Sequence, residues 1–344
     1  MSSLVSVKGP HARGLDNNIR IQWNMGNSCN YECSYCPTIL HDGSKPWLNT
    51  ELYIDTIEKI STHYNALQQR TDYELIGGEV TVIPGFEDII RKISEFNSTS
   101  TVYTNASRTV KWWSKAKHYM DNVILTFHPE SQDKEHFEQV IDEIKDHVYL
   151  SINVAGISGH VDELGDWVET LRDRFKDCDK NRYYNISICV KTMYTKFLGR
   201  HSKQETYYQY TDSELEVLRR PGIKPKPMPQ KTVESTQDTP QKNVEHVLDT
   251  SNMTEFIYDD GKTIYVQNHQ IINEGLNIFK GMKCHIGYES LNIDASGDIY
   301  SSWCGAKTFG NITQLDNWQL PKGYTLCPFD FCNNISDIAI SKTA

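Results

Sequence analysis

The chain is organised around the stretch NSCNYECSYCP, which runs from Asn27 to Pro37. Its three cysteines, Cys29, Cys33 and Cys36, are separated by three and then by two residues. Three thiolates on one short, irregular segment can each bind one iron of a cubane iron–sulfur cluster, which leaves the fourth iron without a protein ligand. The stretch therefore predicts a cluster whose free iron can bind a further molecule.

Two other interpretations of these cysteines are a zinc site and a disulfide pair. A structural zinc ion usually takes four protein ligands, and His41 is the only nearby candidate for the fourth. Disulfides are typical of short secreted chains, whereas this chain has nine cysteines and no apolar secretion signal at its N-terminus. The spacing favours the cluster.

The loop resembles the signature of the radical S-adenosylmethionine (SAM) superfamily, C-x3-C-x-aromatic-C, with Tyr35 at the aromatic position. The resemblance implies that Cys29, Cys33 and Cys36 bind a [4Fe-4S] cluster whose open iron chelates the amino and carboxylate groups of SAM. It also implies that Tyr35 packs by the adenine, and that one electron from the cluster cleaves SAM to methionine and a 5′-deoxyadenosyl radical. That radical would abstract hydrogen from a substrate C–H bond.

Length and composition bound the class of protein. The 344 residues, 38% of them hydrophobic and 11% aromatic, suit a globular protein of two domains, or of one large domain and a small one. The net charge of −10 argues against a nonspecific nucleic-acid-binding surface. No stretch approaches the roughly eighteen apolar residues of a membrane span. We therefore expect a cytoplasmic protein, in a compartment where thiols stay reduced.

Strand and helix patterns alternate through the first half of the chain. Apolar or alternating segments predict strands at residues 19–24, 73–76, 100–104, 122–127, 148–154 and 184–190. Helical spacing of apolar residues predicts helices at residues 51–69, 86–96, 110–119, 132–145 and 161–175. This alternation predicts an α/β fold of parallel βαβ units. Six strands are too few for a closed eight-stranded barrel, and the resemblance implies an open (β/α)6 partial TIM barrel over residues 18–195.

The alternation then stops. Residues 196–253 are predicted to be a linker or loop region, Pro-rich at 219–243, whose composition favours a solvated tether over a basic binding arm. A second, small domain is expected at residues 254–335. Two hairpins with Gly-containing turns are predicted in it, at residues 256–266 and 291–300.

Gly77, Gly78 and Glu79 directly follow the second predicted strand. A pair of glycines allows a ligand to approach the backbone closely, and a carboxylate there can accept a hydrogen bond from an ammonium group. The resemblance implies that this triplet is the GGE motif, which contacts the amino group of the methionine half of SAM. Thr104 and Asn105, after the third strand, match the start of the family's common T-N-G sequence, with alanine in place of the glycine.

The end of the fourth predicted strand departs from the family. There the family often presents a serine and an acid to the ribose hydroxyls, whereas this chain has Thr126 and His128. The Thr126 hydroxyl can both donate and accept a hydrogen bond. For His128, a buried structural histidine and a cofactor contact are open alternatives.

Period-2 alternation predicts a polar face on these strands. The residues expected to face the helices are Ile21, Trp23, Val102, Val123, Leu125, Phe127, Leu150, Ile152, Ile186, Ile188 and Val190. The opposite face then carries Gln22, Asn24, Tyr103, Asn105, Thr126, His128, Ser151, Asn153, Ser187, Cys189 and Lys191. Packed barrel interiors favour branched apolar residues, so a polar interior predicts a cavity for a polar ligand.

Some of these polar residues are candidate binding or catalytic groups. Asn105, Thr126, Asn153 and Lys191 are expected to contact SAM or substrate, because active sites lie at the carboxyl ends of parallel strands. Structural hydrogen-bond networks are the alternative. Lys191 and Cys189 are the catalytic candidates. Cys189 could donate a hydrogen atom, and a free buried cysteine that behaves as a small apolar residue is the alternative.

The last four cysteines are Cys284, Cys304, Cys327 and Cys332, the first two in the pattern C-x12-G-x6-C. Four thiolates on hairpin and loop ends can ligate one complete cubane. The set resembles the twitch domain, a shortened relative of the SPASM domain, and the resemblance implies an auxiliary [4Fe-4S] cluster. A zinc site made of the same four cysteines is the alternative.

Together these features predict a radical SAM enzyme of oxidoreductase type. The expected reaction is oxidation or epimerisation of a polar small molecule, with electrons from an external donor such as flavodoxin or ferredoxin. A peptide-modifying maturase is one alternative, although the 28 residues before Cys29 are few for a built-in leader-peptide reader. The alternative of another class is a non-catalytic scaffold that binds a metal or a cluster.

Overall fold

The computed structural model describes residues 2–9, 17–175, 189–192, 194–196, 206–207, 210–219, 253–321 and 323–344. The α-helices, numbered α1 to α8 in chain order, are Thr50–Ala66, Phe86–Ser94, Val110–Ala116, Lys134–Ile144, Val161–Phe175, Asp212–Arg219, Asn268–Asn273 and Ile335–Ile338. The strands, β1 to β17, are Leu4–Lys8, Asn18–Asn24, Arg70–Ile76, Ser98–Thr104, Asn122–Phe127, Tyr149–Gly156, Cys189–Thr192, Tyr194–Lys196, Thr206–Tyr207, Thr254–Tyr258, Thr263–Val266, Lys283–Cys284, Ser290–Ile293, Asp298–Tyr300, Thr308–Asn311, Thr325–Leu326 and Lys342–Thr343.

The larger sheet has nine strands in the order β15-β14-β13-β2-β3-β4-β5-β6-β7. Neighbouring strands from β2 to β7 run parallel and follow the order of the chain. Helices α1 to α5 occupy the connections between them. The prediction of a mixed α/β fold is confirmed. The predicted strand at 122–127 and the predicted helix at 161–175 coincide with β5 and α5.

Helix α1 shows how local sequence sets the boundaries of an element. Its N-cap is Asn49, whose side chain accepts a hydrogen bond from the amide of Glu51. Its buried face consists of Tyr53, Thr56, Ile57, Ile60, Ser61 and Tyr64. The helix ends before its predicted end because Gln68 takes a left-handed φ of 58°. Each large apolar side chain buried in this way contributes roughly 1.5–3 kcal/mol.

The two faces of the parallel strands differ as the alternation predicts. On the helix-covered face, Ile21, Trp23, Val102, Val123, Leu125, Phe127, Leu150 and Ile152 are all buried in one core cluster. On the opposite face, Gln22, Asn24, Tyr103, Thr126, His128 and Ser151 are half-buried. Ile186, Ser187 and Ile188 lie outside the described residues, and of Val190 only the backbone is described.

The two ends of the chain are interleaved. Both predicted hairpins form, as the pairs β10–β11 and β13–β14. Strand β13, however, also runs parallel beside β2, with Leu291 opposite Ile21, so this hairpin extends the larger sheet. Conversely, β1 joins the smaller sheet, whose order is β11-β10-β1-β17-β12-β16. The pairing of β13 with β2 and the place of β1 in the smaller sheet were not predicted from the sequence, because pairing between distant segments leaves no local pattern.

The predicted linker contains two described elements, of which strand β9, Thr206–Tyr207, pairs antiparallel with β8. Helix α6, Asp212–Arg219, lies within it, while the Pro-rich part at 221–243 falls outside the described residues. The last predicted strand is described only from Cys189 onward, where β7 pairs parallel with β6. In the part of the chain that is described, no helix is both long and apolar enough to cross a membrane.

Candidate active site

The cysteine loop begins where β2 ends and is closed by the side chain of Asn27. The side-chain nitrogen of Asn27 donates to the carbonyl of Ile39 at 2.9 Å and to Asp42 Oδ1 at 2.7 Å. Its amide oxygen accepts from the backbone N–H of Lys45 at 2.8 Å. This buried amide thus helps to join the two ends of the segment that carries the three cysteines, beside the antiparallel bridge between Ser28 and Asp42.

The three thiols lie in a partly buried environment. Cys33 is buried, and Cys29 and Cys36 are half-buried. Burial, together with the neighbouring charges of Cys33 and Cys29, raises the pKa of the Cys36 thiol to about 11. Burial is also the main cause of the raised pKa of Cys29. The thiolate forms are therefore disfavoured unless a cation compensates their charge, which is what a metal centre does.

The Gly77-Gly78-Glu79 turn is hydrogen-bonded to the start of the cysteine loop. The amide of Gly78 donates to the carbonyl of Gly26 at 3.1 Å, and the amide of Glu79 donates to the carbonyl of Ser28 at 2.9 Å. A Cβ at residue 78 would lie 2.1 Å from the Ser28 oxygen, and one at residue 77 would lie 2.7 Å from the Gly26 oxygen. Glycine is therefore required at both positions by the close approach of two backbones.

Glu79 is fully buried and connects this turn to the end of β4. Its carboxylate accepts hydrogen bonds from the Thr104 hydroxyl at 2.7 Å and from the backbone N–H of Asn105 at 2.6 Å. It also accepts from the amide of Thr81 at 3.0 Å and from the Thr81 hydroxyl. Burial raises the pKa of Glu79, and these hydrogen bonds oppose that shift. In this structure the carboxylate bonds to the protein itself, which joins two strand ends at the site.

His128 lies against the cysteine loop. Its Nδ1 is 2.7 Å from the Tyr35 hydroxyl and 3.7 Å from the Cys33 sulfur. The two rings are stacked, with centroids 6.1 Å apart and planes within 5°. Burial lowers the pKa of His128 to about 4, so the imidazole is neutral at physiological pH. The structure places this side chain at the cysteine loop, hydrogen-bonded to the aromatic residue of the motif. A buried structural histidine and a cofactor contact both stay predictions for His128.

Two residues of the loop after β5 were missed by sequence analysis. Glu130 accepts hydrogen bonds from the backbone N–H and the hydroxyl of Ser34, at 2.7 and 2.5 Å. The Ser131 hydroxyl is 3.7 Å from the Cys33 sulfur. Both follow a strand end by only a few residues, which is the one signal that could have indicated them.

The predicted cofactor-binding residues are only partly brought together. The Asn105 side chain donates to the side-chain oxygen of Asn30 at 3.0 Å and lies 4.0 Å from the Cys29 sulfur. Thr126 and Asn153 are register partners on β5 and β6. On β7, Cys189 is the partner of Asn153, and Lys191 is the next residue but one. The side chains of these two catalytic candidates lie outside the described residues.

A polar network crosses the half-buried face of the sheet. Glu74 accepts from Arg20 Nε at 2.5 Å and from the side-chain amide of Gln22 at 2.7 Å. The amide oxygen of Gln22 in turn accepts from the indole N–H of Trp303. Because Trp303 directly precedes Cys304, this hydrogen bond connects the C-terminal cysteine region to the half-buried polar face of the sheet. Arg20 and Glu74 lie within predicted strands but were not among the residues predicted to form the site.

The last four cysteines lie near one another, although they come from four segments. Cys284, Cys304 and Cys327 share a small apolar cluster, and Cys332 lies near enough to raise the pKa of Cys304. Burial is the main cause of the raised pKa of Cys304 and of Cys332, each to about 12. The amide of Cys332 donates to the carbonyl of Asn277 at 2.8 Å. As at the first loop, these thiolates need a cation to offset their charge.

The two kinds of metal centre predicted for the cysteines differ in how closely they hold their thiolates. Within the described ranges, no three His, Cys, Asp or Glu side chains converge closely enough to hold a single metal ion. A zinc ion draws its thiolates onto one atom, whereas a cubane binds each thiolate through a different iron and so holds them further apart. A cluster at each cysteine set, with zinc as the alternative at the C-terminal set, stays a prediction.

No protein-family model matches the chain, and no curated protein matches it. Solved structures similar to it include BtrN in complex with AdoMet and 2-DOIA, with 13% identity, TM-score 0.39, 87% of this chain and 80% of that chain covered. Another is native anSMEcpe with bound AdoMet, with 13% identity, TM-score 0.45 and coverage of 86% and 78%. A third is Streptococcus suis SuiB bound to S-adenosylmethionine, with 12% identity, TM-score 0.34 and coverage of 86% and 64%. Likenesses this distant carry no argument about the chemistry of this chain.

Proposed function

We propose that this protein is a radical SAM enzyme that reductively cleaves S-adenosylmethionine. The observation that carries the proposal is the pair of backbone hydrogen bonds between the cysteine loop and the Gly77-Gly78-Glu79 turn. Two motifs that are distant in sequence are held so closely that no side chain fits between them at residue 78. The C-x3-C-x-aromatic-C loop and the GGE turn are the two motifs on which the resemblance to the superfamily rests.

The residues of the site have separate tasks in this proposal. Cys29, Cys33 and Cys36 would hold a [4Fe-4S] cluster, and bound there the cluster supplies the single electron that cleaves SAM. The two glycines let the GGE turn pack directly against the cysteine loop, where the turn would lie beside the methionine half of SAM. Glu79 fixes the end of β4 beside the cysteine loop through its bonds to Thr104 and Asn105.

Tyr35 and His128 would form a neutral wall beside this site. Tyr35 shares an apolar cluster with Cys33, and Nδ1 of His128 lies 3.7 Å from the Cys33 sulfur. Because burial keeps His128 uncharged, no positive charge of this imidazole competes with the cluster for the thiolates. Excluding water from this wall also protects a reactive radical from quenching.

We further propose that the six parallel strands form an open (β/α)6 partial barrel whose polar face receives the substrate. Half-buried polar side chains along β2, β3 and β4, among them Arg20, Gln22 and Glu74, support a polar substrate. Hydrogen abstraction there would lead to oxidation or epimerisation, with electrons from an external donor such as a flavodoxin or ferredoxin. The buried thiols suit a reducing compartment such as the cytoplasm.

An auxiliary [4Fe-4S] cluster at Cys284, Cys304, Cys327 and Cys332 completes the proposal. The bond between Trp303 and Gln22 supports a role beside the substrate, because it joins this cysteine region to the polar face of the sheet. A cluster in this position could accept the second electron of an oxidation. We propose residues 254–335 as the twitch-like unit that carries it.

The test is the formation of 5′-deoxyadenosine by the anaerobically reconstituted protein with SAM and dithionite. We expect product from the natural sequence and from Cys178→Ala, a cysteine outside both sets, and none from Cys29→Ala. Product that forms equally in all three proteins would show that the cysteine loop is not responsible. Absence of product from the natural sequence and from Cys178→Ala, each with its clusters loaded, would favour a non-catalytic scaffold.

A further inference from the structure

A buried lysine lies directly beside the C-terminal cysteines. Strand β17 pairs antiparallel with β12, and Lys342 is the register partner of Cys284. Directly opposed residues of an antiparallel pair lie on the same face of the sheet, with Cβ atoms about 4.5–5.5 Å apart. Lys342 is only 1% exposed. An ammonium group is therefore enclosed in the interior next to the four-cysteine set.

The hydrogen bonds of this ammonium group are complete but do not neutralise its charge. Its Nζ donates to the carbonyls of Asp337, Ile338 and Ile340, at 2.8, 3.1 and 2.7 Å. It also lies 4.7 Å from the ring centroid of Phe279. All of these partners are neutral groups. An ammonium ion uses all three N–H donors here, yet a buried charge still costs several kcal/mol unless an anion compensates it.

The carboxylate of Asp337 is hydrogen-bonded to the segment that carries Cys304, whereas its main-chain carbonyl accepts from the ammonium group. Asp337 is 1% exposed, and its side chain accepts from the amide of Cys304 at 2.5 Å and from the hydroxyl of Ser302. Lys342 bonds to the main-chain carbonyl of Asp337 and not to its carboxylate. The two buried groups thus have different hydrogen-bond partners, and the positive charge of Lys342 opposes the rise that burial causes in the pKa of the Asp337 carboxyl.

We propose that Lys342 is the counter-charge of the C-terminal metal centre and raises its reduction potential. This inference rests on the proposed auxiliary cluster. Reduction adds one negative charge to a cluster, and in a low-dielectric interior a fixed positive charge nearby stabilises the reduced form more than the oxidised one. Asp337 has the opposite effect, because its negative charge disfavours the reduced form. Both are positioning residues, since neither is a ligand of the metal.

The test uses the full-length chain with Cys29, Cys33 and Cys36 changed to alanine, so that only the C-terminal cluster remains. Reduction potentials are measured by an anaerobic titration followed by electron paramagnetic resonance. Lys342→Gln removes the charge but keeps two N–H donors for the carbonyls, and Lys342→Arg keeps the charge. Asp337→Asn removes the negative charge and keeps an acceptor for the Cys304 amide.

We expect Lys342→Gln to lower the reduced-to-oxidised ratio of the cluster at a fixed potential about tenfold. For a one-electron couple this is a fall of about 59 mV in the reduction potential. Lys342→Arg should stay near the parent, and Asp337→Asn should shift in the opposite direction. A merely structural lysine would change thermal stability without opposite shifts of potential. If the Gln variant fails to retain iron, Lys342→Met replaces it, with the same expected fall.

Two results would overturn the inference and are distinguishable. If the parent retains iron and none of the charge-removing variants shifts the potential, Lys342 is not the counter-charge, and the proposed cluster stands. If the parent chain, lacking the three N-terminal cysteines, binds no iron, the auxiliary cluster itself is wrong and the inference falls with it.

Discussion

Gly78 is the residue at which the two motifs of the site meet. Its Cα approaches the Ser28 carbonyl so closely that a methyl group at Cβ would lie 2.1 Å from the oxygen. Since the contact is with backbone and not with the end of a flexible side chain, the collision can be relieved only by moving the cysteine loop.

We predict that Gly78→Ala displaces the cysteine loop, lowers stability by about 1–3 kcal/mol and abolishes formation of 5′-deoxyadenosine. The matched control is Gly323→Ala, because Gly323 is exposed and a Cβ there would have no neighbour within 4 Å. Urea unfolding and product assays of both variants check this. Wild-type activity of Gly78→Ala would show that the close approach is not needed.

The hydrogen bond between Tyr35 and His128 is the second residue-scale feature. Both side chains are largely buried, so loss of one partner leaves a polar group of the other without compensation. The single change Tyr35→Phe or His128→Phe should therefore cost about 1–3 kcal/mol.

A double-mutant cycle of Tyr35→Phe and His128→Phe measures this bond. We expect the double variant to be less destabilised than the sum of the single variants, with a coupling of about 1 kcal/mol in the free energy of unfolding. Strict additivity in urea denaturation would contradict the assigned contact.

At the scale of elements, strand β1 joins the start of the chain to the C-terminal cysteine region. It pairs with β10 on one side and with β17 on the other, and Val7 is the register partner of both Phe256 and Lys342. Val7 is fully buried, whereas Val5 is 39% exposed on the same strand. Val5 lies in the irregular part of β1, where the register with β10 shifts between Leu4 and Ser6, whereas Val7 packs into the core cluster of the smaller sheet with Phe256.

We predict that Val7→Asp disrupts the smaller sheet and releases the C-terminal metal centre while the N-terminal one remains. An unpaired carboxylate in this core costs several kcal/mol. Val5→Asp is the control at an exposed position of the same strand and should leave the iron content unchanged. Equal loss of iron in both variants would show that the effect is not due to burial.

At the scale of the whole molecule, the two cysteine sets belong to connected but distinct parts of the structure. The first set follows β2 of the larger sheet. Of the last four cysteines, Cys284 lies on β12 and Cys327 directly follows β16, both strands of the smaller sheet, while Cys304 lies between β14 and β15 of the larger sheet. Hairpin β13–β14 and the Trp303–Gln22 bond connect the two parts.

We expect the reconstituted natural chain to bind about eight irons, and a variant with Cys29, Cys33 and Cys36 all changed to alanine about four, at four per cubane. Changing Cys284, Cys304, Cys327 and Cys332 to alanine should likewise leave about four. Iron, acid-labile sulfide and zinc analysis of all three proteins checks this. About one zinc retained in the first variant, with no iron, would make the C-terminal set a structural zinc site.

By itself the sequence determined the local features of this protein. The cysteine spacing, the GGE turn, the alternating strands and helices and both C-terminal hairpins are each encoded within a few neighbouring residues, and hydrophobic period and turn chemistry reveal them. The same reasoning missed α6 and the supporting roles of Glu130 and Ser131, because a short helix and loop side chains have no periodic signal.

Only the tertiary structure decided which distant residues meet. It brought His128 to Tyr35, Glu79 to Thr104 and Lys342 to Cys284. It also exchanged β1 and β13 between the two sheets. Such contacts follow from strand order and register, which depend on the packing of the whole core and not on any local pattern. The physical reason is that a buried charge or hydrogen bond needs a partner, but the sequence alone does not say which segment supplies it.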